Sequence, residues 1–200
     1  MRRLADRAPY AFSESELLGL EGEAAARYFR LFETMFGETA RDFPEFAFDK
    51  RTRRPPADPV NAMLSLGYAL LTRTWLTVLS ATGFDPYLGF YHRPRFGRPA
   101  LALDMMEPFR PILADSTVIQ VINNGEVKAD DFSSAGPAVN LKPHARRAFI
   151  AAYERRLAQE VTHPVFGYRV SMRRLLEVQA RLLARHPNGE IEEYPHYFVR

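Results

Sequence analysis

Two carboxylates, one imidazole and four guanidinium groups lie within the twenty residues from His92 to Pro111. Asp104 and Glu107 are three residues apart, so on a helix they share one face. Proline and glycine follow His92 and can fold it back onto that face. Carboxylates with one imidazole suit Mg²⁺ or Mn²⁺, and arginines suit a phosphate-bearing substrate. The segment predicts a metal-dependent reaction on nucleic acid, although a helix with merely solvated charges shows the same pattern.

The composition is ordinary for a globular protein and excludes cysteine chemistry. The chain has 200 residues, 46% apolar and 26% charged, and a net charge of +3, which permits a nucleic-acid partner without requiring one. With no cysteine, disulfides, thiolate zinc sites and cysteine nucleophiles are excluded, which fits a cytoplasmic protein. The longest apolar run, 62–71, is broken by Ser65 and Gly67, and the N-terminus does not resemble a signal peptide, so we expect no membrane partner.

Arginines are concentrated in the last third of the chain, where residues 144–185 hold nine arginines and three acids. The arginine side chain binds phosphate well, so we expect part of this set to follow a DNA backbone. The candidates are Arg146, Arg147, Arg173, Arg174 and Arg181. A solvated helical face, or a GC-rich genome that favours arginine codons, would give the same bias.

Three further side chains are candidates for DNA contact near the predicted metal site. Arg98 is placed to clamp a phosphate, whereas we expect Arg110 to pair with Asp104 or to cap a helix end. Asn61 and Tyr68 are seven residues apart, hence on one face of a helix. They are predicted to reach DNA, and a polar contact inside the core is the alternative for both.

The periodicity of apolar residues predicts a mostly α-helical bundle of about six helices with at most a small β-hairpin. Residues 1–12 are expected to form a linker or the end of a preceding domain, residues 13–200 the helical domain, and 43–58 an exposed loop. The predicted helices cover 13–36, 60–82, 101–114 with a bend at Pro108, 116–124, 143–160 and 172–185, and two short strands cover 127–132 and 138–141.

A third metal ligand is expected from outside the 92–111 segment, and Glu21 is the natural candidate. It lies in the first long helix beside Gly22, which leaves room for close approach of a backbone or a substrate. Glu23 is two residues away and faces another side of that helix.

Four motifs in this order resemble those of a known family, the catalytic subunit of the CRISPR adaptation integrase, which inserts new spacers. They are L-x-G-L-E-G-x-A-A-x-x-Y-F at 17–29, D-P-V-N-A-M-L-S-L-G-Y-A-L-L at 58–71, G-F-D-P-Y-L-G-F-Y-H at 83–92, and R-P-A-L-A-L-D-M-M-E-P-F-R-P at 98–111. The resemblance covers nearly the whole chain, but only the helical catalytic domain of the family. The family's N-terminal β-rich domain is expected to be absent from this chain.

The resemblance implies the site and the reaction. One Mg²⁺ or Mn²⁺ ion is expected on Glu21, His92 and Glu107, with Asp104 either orienting His92 or binding metal itself. The implied reaction is attack of a DNA 3′-hydroxyl on a phosphodiester of the CRISPR repeat, and with water the same site would be an endonuclease. A branched-DNA nuclease and a non-catalytic DNA-binding scaffold are the alternatives.

The resemblance also implies the partners. These are a prespacer duplex and the CRISPR repeat, the small second subunit of the adaptation complex, a second copy of the chain in a homodimer, and a fused or associated exonuclease that trims prespacers.

Overall fold

The computed structural model of the protein describes residues 2–38 and 44–198. The helices in chain order are α1 (Arg2–Ala5), α2 (Glu14–Arg30), α3 (Pro59–Ala81), α4 (Ala100–Met106), α5 (Ser116–Asn123), α6 (Pro143–Ala158) and α7 (Met172–Arg185). Two antiparallel hairpins are made by β1 (Phe132–Ala135) with β2 (Ala138–Leu141), and by β3 (Glu160–Thr162) with β4 (Arg169–Ser171). The prediction of a mostly helical bundle is confirmed, and β3–β4 is a second small hairpin that the sequence pattern did not reveal.

Helix α3 is the central element of the fold. The Asp58 side chain caps its first turn by accepting from the Asn61 backbone N–H at 2.7 Å, and Pro59 occupies the first turn, where its missing N–H costs nothing. By length and composition this helix would be able to cross a membrane. In this fold its first half packs into one apolar cluster with α2, α5 and α6, and its second half into another with α4, α6 and α7.

Helix α2 begins as predicted but is shorter than expected. Ser13 Oγ accepts from the Glu16 N–H at 3.2 Å, and the Glu16 carboxylate accepts from the Phe12 N–H at 3.0 Å. In a capping box the Glu16 carboxylate would accept from the N–H of Ser13 itself. Here it accepts from Phe12, one residue earlier, so the pairing is a close variant of that motif. The helix ends at Arg30, and a 3₁₀ turn over Phe32–Met35 completes the predicted segment.

The predicted helix over 101–114 is a sequence of three helical forms. Helix α4 ends at Met106, a 3₁₀ turn covers Glu107–Phe109, and a π-helical turn covers Arg110–Asp115 before α5 starts. Pro108 and Pro111 explain the interruption, because neither has an N–H to continue the α-helical hydrogen bonds. The interruption sets Glu107 at the end of α4 and Asp115 at the entrance to α5.

The first hairpin begins later than predicted. The Asp131 carboxylate accepts from the Lys128 N–H at 2.8 Å and holds Ala129–Asp131 in a 3₁₀ turn, so β1 covers 132–135 instead of 127–132. The second strand and the helix over 172–185 have the predicted bounds, and α6 ends two residues early. The predicted loop 43–58 contains a short 3₁₀ turn at Pro44–Phe46, and its first residue lies outside the described part of the chain.

Candidate functional site

The segment before His92 is attached to α4 by the Asp104 side chain. Its carboxylate accepts from the backbone N–H groups of Phe90 at 2.7 Å, Tyr91 at 3.1 Å and His92 at 2.8 Å. Gly89 allows this approach, because a Cβ there would lie 2.7 Å from the Ala100 Cβ and 2.8 Å from Asp104 Oδ2. One carboxylate therefore fixes the backbone of three consecutive residues against the helix.

The same carboxylate orients the imidazole of His92. His92 Nδ1 lies 2.6 Å from Asp104 Oδ1, and the two side chains are only 17% and 10% exposed. A carboxylate accepts, so Nδ1 carries the proton that it donates. This tautomer leaves Nε2 as the ring nitrogen that can bind a metal ion, an arrangement common for metal-binding histidines.

Glu21 joins this region from α2. Its Oε2 accepts from the Tyr91 hydroxyl at 2.8 Å, a contact between residues seventy apart in the chain. Glu21, Tyr91, Asp104 and Glu107 line one cavity of about 1100 Å³, whose remaining wall is apolar. Apart from its chain neighbours and the backbone of its own helix, no described atom lies within 4 Å of the position where a Cβ on Gly22 would stand, so the space expected beside Glu21 is open.

Glu107 lies at the end of α4 and is paired with Arg110. Arg110 Nη1 donates to Glu107 Oε2 at 2.6 Å, and the arginine side chain is only 15% exposed. The guanidinium also lies over the Tyr68 ring, 4.4 Å from its centroid. The structural pairing expected for Arg110 is present, but its partner is Glu107 and not Asp104. The 3₁₀ turn after Met106 brings Arg110 close to Glu107, whereas the Asp104 carboxylate accepts from the 90–92 backbone.

The donor types in this region suit a hard divalent cation, since carboxylates line this cavity and the imidazole of His92 lines the neighbouring one. Within residues 2–38 and 44–198, however, no three side chains of His, Cys, Asp or Glu are grouped closely enough to hold an ion. Glu21 and Glu107 line the same cavity but are hydrogen-bonded to Tyr91 and Arg110. Each of these bonds uses one carboxylate oxygen, so metal binding would require Glu21, Glu107 and His92 to move closer together and not to lose these partners.

A buried polar network lies behind Glu107. Asp115 is 2% exposed and accepts from the hydroxyls of Tyr28 at 2.9 Å and Tyr68 at 2.7 Å. Burial raises the pKa of Asp115 above its ordinary value, and the hydrogen bonds from Tyr68 and Tyr28 and the charge of Arg110 offset this only in part. Burial, with Asp115 nearby, also raises the pKa values of both tyrosines.

Asp115 and Tyr28 were not among the candidate residues from the sequence. The one local signal for Asp115 is its position in a mainly apolar segment, Ile112 to Ile119. An acid that is buried in such a segment needs hydrogen-bond partners. Its partners are 47 and 87 residues away in the chain, so no local pattern identifies them.

The structure places the predicted DNA-contact residues in two kinds of environment. Asn61 is fully buried, and its amide bonds the Lys50 carbonyl, the Asp58 carboxylate and the Thr52 N–H. The Tyr68 hydroxyl bonds Asp115. In this conformation the polar groups of Asn61 and Tyr68 therefore bind other residues of this chain. Such a polar contact inside the core was the alternative to DNA binding for both residues.

The predicted arginines are more accessible. Arg98 lines a cavity of about 370 Å³ together with His92, Tyr91, Arg93 and Arg95. Arg146 is exposed on α6. Arg173, on α7, is exposed and paired with Glu154. Arg98 is thus the predicted phosphate-binding residue that shares a cavity with the imidazole.

Comparison with known proteins connects this geometry to a family. The family model described as "CRISPR associated protein Cas1" matches residues 1–155. The chain is 62% identical over 200 residues to a CRISPR-associated exonuclease Cas4/endonuclease Cas1 fusion from Rhodospirillum rubrum, covering 100% of this chain and 34% of that protein. The chain thus spans about a third of the length of that relative.

Two solved structures share the fold. A casposase bound to integration product has a TM-score of 0.81 and 28% identity, covering 92% of this chain and 50% of that chain. A chain of a Cas6-RT-Cas1–Cas2 complex has a TM-score of 0.82 and 31% identity, covering 98% of this chain and 21% of that chain.

Proposed function

The chain belongs to the Cas1 family of CRISPR-associated proteins, and from this premise we propose that it is the catalytic domain of a metal-dependent DNA integrase and endonuclease of CRISPR adaptation. It would insert short DNA into the CRISPR repeat. The observation that carries this proposal is the arrangement of Asp104, His92, Glu21 and Glu107 on one side of the fold.

The residues suit a Mg²⁺ or Mn²⁺ ion held by Glu21, Glu107 and His92 Nε2. When bound, such an ion supplies charge for the scissile phosphate and lowers the pKa of the attacking hydroxyl. Asp104 accepts a hydrogen bond from the Nδ1–H of His92, so the other ring nitrogen, Nε2, points away from Asp104. Arg98 shares the neighbouring cavity with His92 and would bind a phosphate oxygen of the DNA.

The reaction would be a phosphoryl transfer between two DNA strands. The 3′-oxygen of the incoming DNA forms a bond to a phosphorus in the repeat, the bond to the existing 3′-oxygen breaks, and the attacking proton passes to the leaving oxygen through solvent. With water as the attacking group, the same bond breaks without joining, which is endonuclease activity. A covalent enzyme intermediate is not needed.

The relatives support the proposed partners. A similar chain occurs in a Cas6-RT-Cas1–Cas2 complex, a similar casposase was solved with its integration product, and the relative from Rhodospirillum rubrum is a Cas4/Cas1 fusion. We therefore propose that this protein binds prespacer and repeat DNA as a homodimer, with the small second subunit and a fused or associated exonuclease, in the cytoplasm.

A strand-transfer assay tests the proposed function. Full-length protein would be incubated with labelled branched DNA in Mn²⁺, as wild type and as His92→Ala, Glu107→Ala and Glu21→Ala variants. We expect joined product from wild type and its loss in all three. Glu23→Ala is the matched control, because Glu23 lies on the same helix, paired with Arg27, and should retain the activity.

Two outcomes would contradict the proposal. Wild type that binds the DNA but gives neither joined nor cleaved product would favour a non-catalytic scaffold. Released fragments without any joined product, in the presence of a free 3′-hydroxyl, would favour a branched-DNA nuclease.

A further inference from the structure

The turn that carries Glu107 is not held in place by a continuous α-helix. Helix α4 ends at Met106, and Glu107–Phe109 form a 3₁₀ turn. Pro108 and Pro111 have no N–H, so neither can donate to the preceding turn as a residue inside an α-helix would. Because these backbone hydrogen bonds are missing, the position of Glu107 depends more strongly on how its turn packs against other elements.

The ring of Phe109 packs this turn against the rest of the fold. It is 2% exposed and contacts the ring of Trp75 on α3, with the two ring centroids 5.5 Å apart. It also stacks on the ring of Tyr197, with the centroids 5.7 Å apart and the two planes at 8°. Parallel rings at this separation are a favourable aromatic pair. The turn is thus anchored both to the central helix and to a segment far along the chain.

Tyr197 is itself fixed by its surroundings. It is buried, and the ring of His163, in the loop between β3 and β4, lies 6.3 Å from its ring. Three residues earlier, the Tyr194 hydroxyl donates to Oε1 of the buried Gln179 on α7 at 2.6 Å. The next residue, Phe198, lines the same cavity as Glu107. The segment 194–198 therefore connects α7 to the turn at the cavity.

We propose that Tyr197 is a positioning residue for Glu107. Its ring fixes Phe109, Phe109 fixes the 3₁₀ turn, and the turn keeps the Glu107 carboxylate at the cavity. Without the stacked ring the turn is free to move, and metal affinity falls because the ligand is no longer preorganised. This inference rests on the proposed function in taking Glu107 as a metal ligand. It adds a residue outside the 1–155 range that the family model matches.

Electron paramagnetic resonance of Mn²⁺ tests this role without any reaction. Mn²⁺ would be titrated into full-length protein in the absence of DNA, and the binding that survives in Glu107→Ala would be subtracted. The folded fraction of each variant, from circular dichroism, corrects the affinity to folded protein. We expect Tyr197→Ala to bind Mn²⁺ about tenfold more weakly than wild type, the lower end for a residue that supports a metal ligand. Tyr197→Phe keeps the aromatic face and should restore the wild-type affinity.

Two further variants separate positioning from a general loss of stability. Tyr153→Ala is the matched control, because Tyr153 is a buried tyrosine of the same apolar cluster and its hydroxyl pairs with Thr74 on α3. It should lower the stability of the fold and leave the Mn²⁺ affinity of the folded protein unchanged. If Tyr197→Ala does not fold, Tyr197→Leu keeps apolar bulk without the flat ring and should bind Mn²⁺ about threefold more weakly. The proposal is overturned if the folded Tyr197 variants bind Mn²⁺ as wild type does, if Tyr153→Ala weakens binding equally, or if wild type shows no binding that depends on Glu107.

Failure of this inference is distinguishable from failure of the proposed function. In the strand-transfer assay, Tyr197→Ala should need about tenfold more Mn²⁺ for its half-maximal rate and should approach the wild-type rate at saturating Mn²⁺. Weaker Mn²⁺ binding by Tyr197→Ala, with no product from wild type on any DNA, would support the positioning role and reject the integrase. Product from both proteins with the same Mn²⁺ dependence would reject the positioning role and keep the integrase.

Discussion

Asp104 and Asp115 lie eleven residues apart, on either side of the interrupted helix, and each accepts several hydrogen bonds. Asp104 accepts from three backbone amides and one imidazole at the edge of a cavity. Asp115 accepts from two tyrosine hydroxyls inside the core. The first acid orients the ring of His92, which we propose as a metal ligand, and the second joins α2 and α3 to the segment that enters α5. The comparison separates an acid at the proposed catalytic site from an acid that holds elements of the core together.

The largest effect should come from Asp104→Ala. Its removal leaves the 90–92 amides without their acceptor and releases the His92 ring, so we expect about a 100-fold loss of Mn²⁺-dependent strand transfer, the upper end for a residue that orients a metal ligand. Asp104→Asn keeps one oxygen acceptor for the amides and should lose less. Parallel measurement of Mn²⁺ affinity locates the defect at the metal. Activity within threefold of wild type for Asp104→Ala would remove the distinction between the two acids.

Asp115→Ala should act on stability instead. It leaves the buried hydroxyls of Tyr28 and Tyr68 without an acceptor, so we expect the free energy of unfolding to fall by about 3 kcal/mol, measured by urea denaturation. Activity per folded molecule should stay within tenfold of wild type. Adding Tyr28→Phe and Tyr68→Phe removes the unpaired hydroxyls and should restore part of the loss. Strictly additive losses would show that the three residues are not coupled.

The smallest expected effect is the dependence of folding stability on pH. Burial raises the pKa of Asp115 above its ordinary 3.8, so between 3.8 and the folded-state pKa the native protein binds more protons than the unfolded chain. Stability from this group is therefore greatest below pH 3.8 and is lost as pH rises through the folded-state pKa, by at most about 1.4 kcal/mol per pH unit. Asp115→Asn should lack this loss. A wild-type stability that rises relative to Asp115→Asn over the same pH range would contradict the assignment.

Local patterns in the sequence were enough to predict much of the fold. The Asp58-Pro59 start of α3, the Ser13 cap of α2 and the bounds of α7 follow from capping and periodicity, which depend on residues three or four apart. Pro108 predicts a bend in the 101–114 helix for the same kind of local reason, and the structure instead interrupts the α-helix after Met106. The β3–β4 hairpin was missed because its strands have three residues each, too few for an alternating pattern.

For the candidate site, too, part was determined by the sequence and part only by the tertiary structure. The sequence by itself determined which residue types are available, namely Glu21, His92, Asp104, Glu107 and the arginines of 93–98, and their motifs indicated the family. Only the tertiary structure decided how they are used: that Tyr91 bonds Glu21, and that Asp104 binds the 90–92 backbone and the His92 ring. These pairings join helices and loops up to seventy residues apart. They depend on how elements pack against one another, and packing of distant segments leaves no mark in local spacing.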